Sequence, residues 1–95
     1  MAKEKITKSK GNVFVDLGFS PEEASVLAMR ADLMATLRLY IVDHKLTQAS
    51  AAKKLGLSQS RVSDLVRGKW EKFSLDMLLM LASKAGLHPQ LKMAA

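Results

Sequence analysis

The chain contains no cysteine, so it forms no disulfide and no thiolate metal site. That leaves the redox compartment open, with a reducing cytoplasm as the default. Histidine is almost as scarce: His44 and His88 stand in unrelated segments, and no spacing typical of metal ligands occurs. A Gly-rich phosphate loop and a nucleophile elbow are missing too, so neither an enzyme nor a cofactor is expected. Three Phe, one Trp and one Tyr are too few to build the exposed stacking faces that read unpaired RNA bases. Long apolar runs are also lacking. The longest strongly apolar run, residues 77–82, is far too short to span a bilayer, and no apolar segment of signal-peptide length follows the basic N-terminus. A soluble protein that is not exported is the expectation. There is no internal repeat and no low-complexity segment.

What is present is a globular composition, 48% hydrophobic and 25% charged over 95 residues, the size of one domain. The net charge is +6, and it is unevenly placed. Residues 1–10 set Lys3, Lys5, Lys8 and Lys10 against Glu4. Residues 45–72 set seven Lys/Arg against Asp64 and Glu71, whereas residues 20–44 are acidic on balance. Phosphate is therefore the natural partner of the basic region, although an anionic membrane would be drawn by the same charge.

The basic region is also the best-patterned one. In LTQASAAKKLGLSQSRVSDLVRGK, residues 46–69, Thr47 can cap a helix running to Leu55, Gly56 can close it in the left-handed conformation, and Ser58 can cap a second helix that stops at Gly68. Ala52, Gly56, Leu57, Val62, Leu65 and Val66 supply the small and apolar residues that a tight corner between two helices needs. With the last three turned inward, Gln59, Ser60, Arg61, Ser63, Asp64 and Arg67 face outward. A merely solvated face favours Glu/Lys pairs; amide, hydroxyl and guanidinium tips instead match the edges of bases in a major groove. The layout predicts a helix-turn-helix.

This stretch resembles the DNA-binding motif of the XRE family, the group that includes lambdoid phage repressors. Residues 12–91 further resemble the HigA-type antitoxins, through an NVFxDLGF-like start, the LTQxxAAxxLGxxQxRVSxLxRGK core and FSLDxLL at residues 73–79. The resemblance implies a lambda repressor-like fold: an all-α bundle of about five helices with a long first helix and a short C-terminal strand or arm. It implies a homodimer that represses transcription from a palindromic operator in double-stranded DNA, associated with the nucleoid. It also implies a RelE/HigB-like toxin as a partner. By correspondence, Gln48, Ser58, Gln59, Ser60 and Asp64 take positions for base or backbone contact, and Thr47, Arg67 and Lys69 positions suited to phosphate; Ser63 joins the expected DNA-binding set as an outward hydroxyl of the second helix. Arg61 is expected to contribute most, either by pairing with a guanine or, as the alternative, through a phosphate.

The flanks follow from local signals. Residues 1–11 are polar and Lys-rich and read as a mobile arm, with one domain over residues 12–95. Residues 12–19 are apolar and too short to fold alone. Ser20, Pro21 and Glu23 make a strong helix start, with no breaker before about His44. A helix of that length has apolar residues on more than one face, so part of it needs cover from outside a compact core. Val13, Phe14, Leu17, Phe19, Met29, Leu33 and Leu91 are the candidate partner or dimer surface, with core cover as the alternative role for residues 13–19. Trp70 reads as an anchor under a basic loop, because duplex DNA offers no free base face to stack on. Ser74 can cap a last helix ending at Gly86, and Pro89 suits an edge strand or extended arm.

Two other readings compete: an interaction module that has kept the fold without binding DNA, and a stand-alone phage-type repressor.

Overall fold

The computed structural model describes residues 12–94, so the arm expected over residues 1–11 lies outside the described residues. Five α-helices appear in order: α1 (Val13–Asp16), α2 (Pro21–Asp43), α3 (Gln48–Leu55), α4 (Gln59–Val66) and α5 (Leu75–Lys84). A 3-10 turn, Trp70–Lys72, joins α4 to α5. Among the described residues there is no strand, and residues 87–94 take neither helix nor strand, so the C-terminal segment is an arm.

Each helix starts where a side chain can accept from a free N–H. Ser20 accepts from Glu23 N and Glu23 returns a carboxylate to the Ser20 amide, the reciprocal box expected at that site. Ser74 accepts from Met77 N, and Asn12 from Phe14 N. Helix ends use the left-handed residue of a Schellman closure. After α2 that residue is Lys45, at φ 54°, with the Leu46 amide donating to Ile41 O at 3.0 Å. A lysine there is strained by about 1–2 kcal/mol relative to glycine, which the burial of Ile41 on that last turn offsets.

The main core lies between the C-terminal half of α2 and helices α3 to α5. Met34, Leu37, Leu55, Val62, Leu65, Phe73 and Leu78 are the largest fully buried side chains. Helices of eight residues are unstable alone. Burying a Leu or Val stabilises by about 1.5–3 kcal/mol, so Leu55, Val62 and Leu65 account for the persistence of α3 and α4.

The N-terminal half of α2 has its own small cluster, in which Phe14, Ala24 and Leu27 are buried and Phe19 and Trp70 pack alongside. The Asn12 amide donates to Ala24 O at 3.0 Å and pins α1 across α2. Part of the extra length of α2 is thus covered from within the chain. Phe14, one of the candidate partner residues, is corrected to core cover, since only 7% of it is exposed. Trp70 is the anchor expected: its ring meets Phe14 and Phe19 edge-on, at 5.4 and 6.3 Å between centroids.

Candidate nucleic-acid interface

α3 and α4 form the corner that the sequence predicts. Thr47 Oγ1 accepts from Ser50 N at 3.0 Å, and Ser50 Oγ accepts from Thr47 N at 2.9 Å, a reciprocal cap of hydroxyls. Gly56 closes α3 at φ 70°, with the Leu57 amide donating to Ala52 O at 2.9 Å. The left-handed conformation is what calls for glycine here, since the nearest atom to a Cβ on Gly56 would be the movable end of Lys84, with Nζ at 3.0 Å. Ser58 Oγ then accepts from Arg61 N at 3.2 Å and starts α4. Beyond Arg67, the Lys69 and Gly68 amides donate to Asp64 O and Leu65 O, both at 3.1 Å, and end it.

Val62 and Leu65 are fully buried, which fixes the inner face of α4. Of the outward set, Gln59, Ser60 and Arg67 are exposed, as are Ser58 and, at the start of α3, Thr47 and Gln48. Ser63, Asp64 and Lys69 are half-buried. Asp64 Oδ2 lies 3.9 Å from Lys72 Nζ, a long, partly exposed pair.

Arg61 departs from the expected outward projection. Its guanidinium carbon lies 4.4 Å from the centroid of the Phe73 ring, Nη1 donates to Lys72 O at 3.2 Å, and Nη2 lies 3.1 Å from Met77 Sδ. A long, flexible side chain lets the guanidinium reach a neighbouring ring that backbone direction alone does not indicate, and a weakly hydrated planar cation is favourable on that ring.

One cation was missed by sequence reasoning. Arg38, counted with the acidic stretch of α2, brings Nη1 to 3.4 Å from the place a Cβ on Gly68 would occupy. It therefore sits at the C-terminal end of α4, beside the segment that carries Arg67 and Lys69, where a positive charge also favours the helix dipole. Nothing within α2 marks it, because the neighbour is supplied by tertiary packing.

Residues 13–94 match a family model described as a helix-turn-helix domain. The chain belongs to this helix-turn-helix family. No curated relative matches it. Family membership and the all-helical architecture agree, and together they point to a DNA-binding regulator. No helix among the described residues is long and apolar enough to cross a membrane.

The remaining candidate partner residues of this helix-turn-helix protein fall in two places. Val13 and Leu17 are exposed on and just after α1, with Phe19 half-buried beside them. Met29, Leu33 and Leu91 line a groove between α2, α5 and the C-terminal arm, together with Leu75, Leu79 and Leu87.

Proposed function

We propose that this protein is a sequence-specific repressor that binds double-stranded DNA as a symmetric dimer, each subunit laying α4 in the major groove of a palindromic operator. The observation that carries the reading is the division of α4: Val62 and Leu65 are sealed in the core, while Gln59, Ser60 and Arg67 stand exposed at its two ends. In this reading Gln59, Ser60 and Ser63 address base edges, with Gln48 and Ser58 at the helix starts contacting bases or backbone. Thr47, Arg67 and Lys69 contact phosphates, Arg38 adds positive charge beside them, and Asp64 contributes from its half-buried position. Two-fold symmetry sets half-sites roughly 34 Å apart. Repression needs no chemistry and no cofactor: occupancy of a promoter excludes polymerase.

Selection from a random duplex library tests this. A two-fold symmetric sequence is expected to be enriched, and affinity for it should fall by about 10³-fold or more between 50 and 200 mM salt if six or more phosphates are contacted across the dimer. Unenriched pools with no salt-sensitive binding would favour an interaction module instead.

The resemblance to HigA-type antitoxins extends the proposal to an antitoxin that neutralises a RelE/HigB-like ribonuclease and represses its own operon. Exposed Val13 and Leu17, on and just after a helix whose Phe14 is already buried in the core, support a further partner at that end. Co-purification with the product of an adjacent reading frame is expected; recovery of the dimer alone from the native host would count against it.

A further inference from the structure

Arg61 is on the helix offered to DNA, yet its guanidinium is used within the chain. All three of its partners, the Phe73 ring, Lys72 O and Met77 Sδ, lie in the segment that leads from the 3-10 turn into α5. Asp64, three residues further along α4, reaches toward the same segment through Lys72.

The consequence is mechanical. α4 has eight residues and rests on the core through Val62 and Leu65, both fully buried, with Val66 packed partly alongside, a narrow stripe about which a short helix can roll. Side-chain tips lie about 5–6 Å from a helix axis, so a roll of about 20° displaces them by about 2 Å. That is enough to break a hydrogen bond to a base edge, which weakens steeply outside a narrow range of distance and angle. A planar cation held from one side by a ring and from its edge by two acceptors opposes such a roll. A lysine cannot do the same, because an ammonium neither lies flat on the ring nor presents a fork of donors.

Resting on the DNA-binding reading above, we propose that Arg61 is a positioning residue: it sets the roll of α4 against the turn before α5, so that Gln59, Ser60 and Ser63 meet the groove in register, and it makes no base contact of its own. A residue in the first turn of the recognition helix thus acts on sequence reading through its neighbours.

The test uses the wild-type chain, Arg61→Lys and Arg61→Ala on the duplex enriched by the wild type, at a temperature where circular dichroism shows all three folded. Both variants are expected to bind about tenfold more weakly, with discrimination reduced at several base pairs together and the slope of log affinity against log salt unchanged. Loss of discrimination at a single base pair would show a direct base contact and overturn the proposal. Retained affinity in Arg61→Lys, with a slope about one unit shallower in Arg61→Ala, would show a phosphate contact and overturn it too. Folded variants that bind like the wild type would leave Arg61 with a role in stability alone, again overturning it. A measurement on the unmutated protein covers the case in which a variant fails to fold. The ring-current shift that Phe73 imposes on the Arg61 side chain should persist in the complex, and its disappearance on adding duplex would mean that the guanidinium leaves the ring for DNA. A wild-type chain that binds no duplex would overturn the functional reading and this proposal together, whereas the other adverse outcomes overturn the proposal alone.

Discussion

Phe73→Ala is expected to lower the unfolding free energy by about 3–5 kcal/mol, the range for deleting a buried aromatic ring. Phe73 is 1% exposed and belongs to the main core cluster, so its loss opens a cavity there. It also removes the ring beneath the Arg61 cation, a contact worth about 0.5–1 kcal/mol. Against a total stability of about 5–15 kcal/mol for a small domain, this is a large share of the whole. Phe19→Ala is the control, since Phe19 is half-buried and packs on the small α1–α2 cluster rather than the main core. Urea titrations should give Phe73→Ala a loss at least about twice that of Phe19→Ala. Equal losses would mean that the division into a main core and a covering cluster is wrong.

Ser60→Glu is expected to abolish most DNA binding while leaving the fold intact. Ser60 is exposed in the first turn of α4, and its hydroxyl lies 3.3 Å from that of Ser58, a contact of little consequence in water. A carboxylate near a helix N-terminus is favourable by about 0.3–1 kcal/mol, so the unfolding midpoint should hold or rise slightly. Within the groove the same carboxylate faces base acceptors and phosphates, and the loss of one base contact alone costs about 1–3 kcal/mol. With repulsion added, affinity should drop at least thirtyfold, about 2 kcal/mol. Anisotropy titrations of a labelled duplex measure the affinity and thermal melts the stability. Undiminished binding would remove α4 from the interface.

Much of this fold was legible because its signals are local. Ser20, Thr47, Ser58 and Ser74 each announce a helix start within three residues, and Gly56, Gly68 and Gly86 occupy left-handed positions after α3, α4 and α5. Inward Val62 and Leu65 follow from periodicity alone. What escaped was set by packing between distant segments. An end of α2 near His44 is expected from the sequence, but not its closure by Lys45 in a conformation usually left to glycine, which no propensity would select. Burial of Phe14 depends on Trp70, 56 positions away in the chain and brought beneath it only by the turn after α4. Periodicity correctly puts Arg61 off the core-facing stripe, but it describes the direction of Cβ. A long side chain then finds Phe73 and Met77, twelve and sixteen residues on. Arg38 was hidden for the same reason, its nearness to Gly68 being a product of how α2 crosses α4.

The claim on which the account turns is that the starts of α3 and α4 and the segment after α4 meet duplex DNA. Backbone amide shifts of the labelled protein, followed as the enriched duplex is added, test it directly. The account predicts that the largest changes cluster at Gln48, residues 58–60, Ser63, Arg67 and Lys69, with smaller changes at Met29, Leu33 and Leu91. Changes centred on α2, α5 and the arm, with residues 58–69 unmoved, would contradict it.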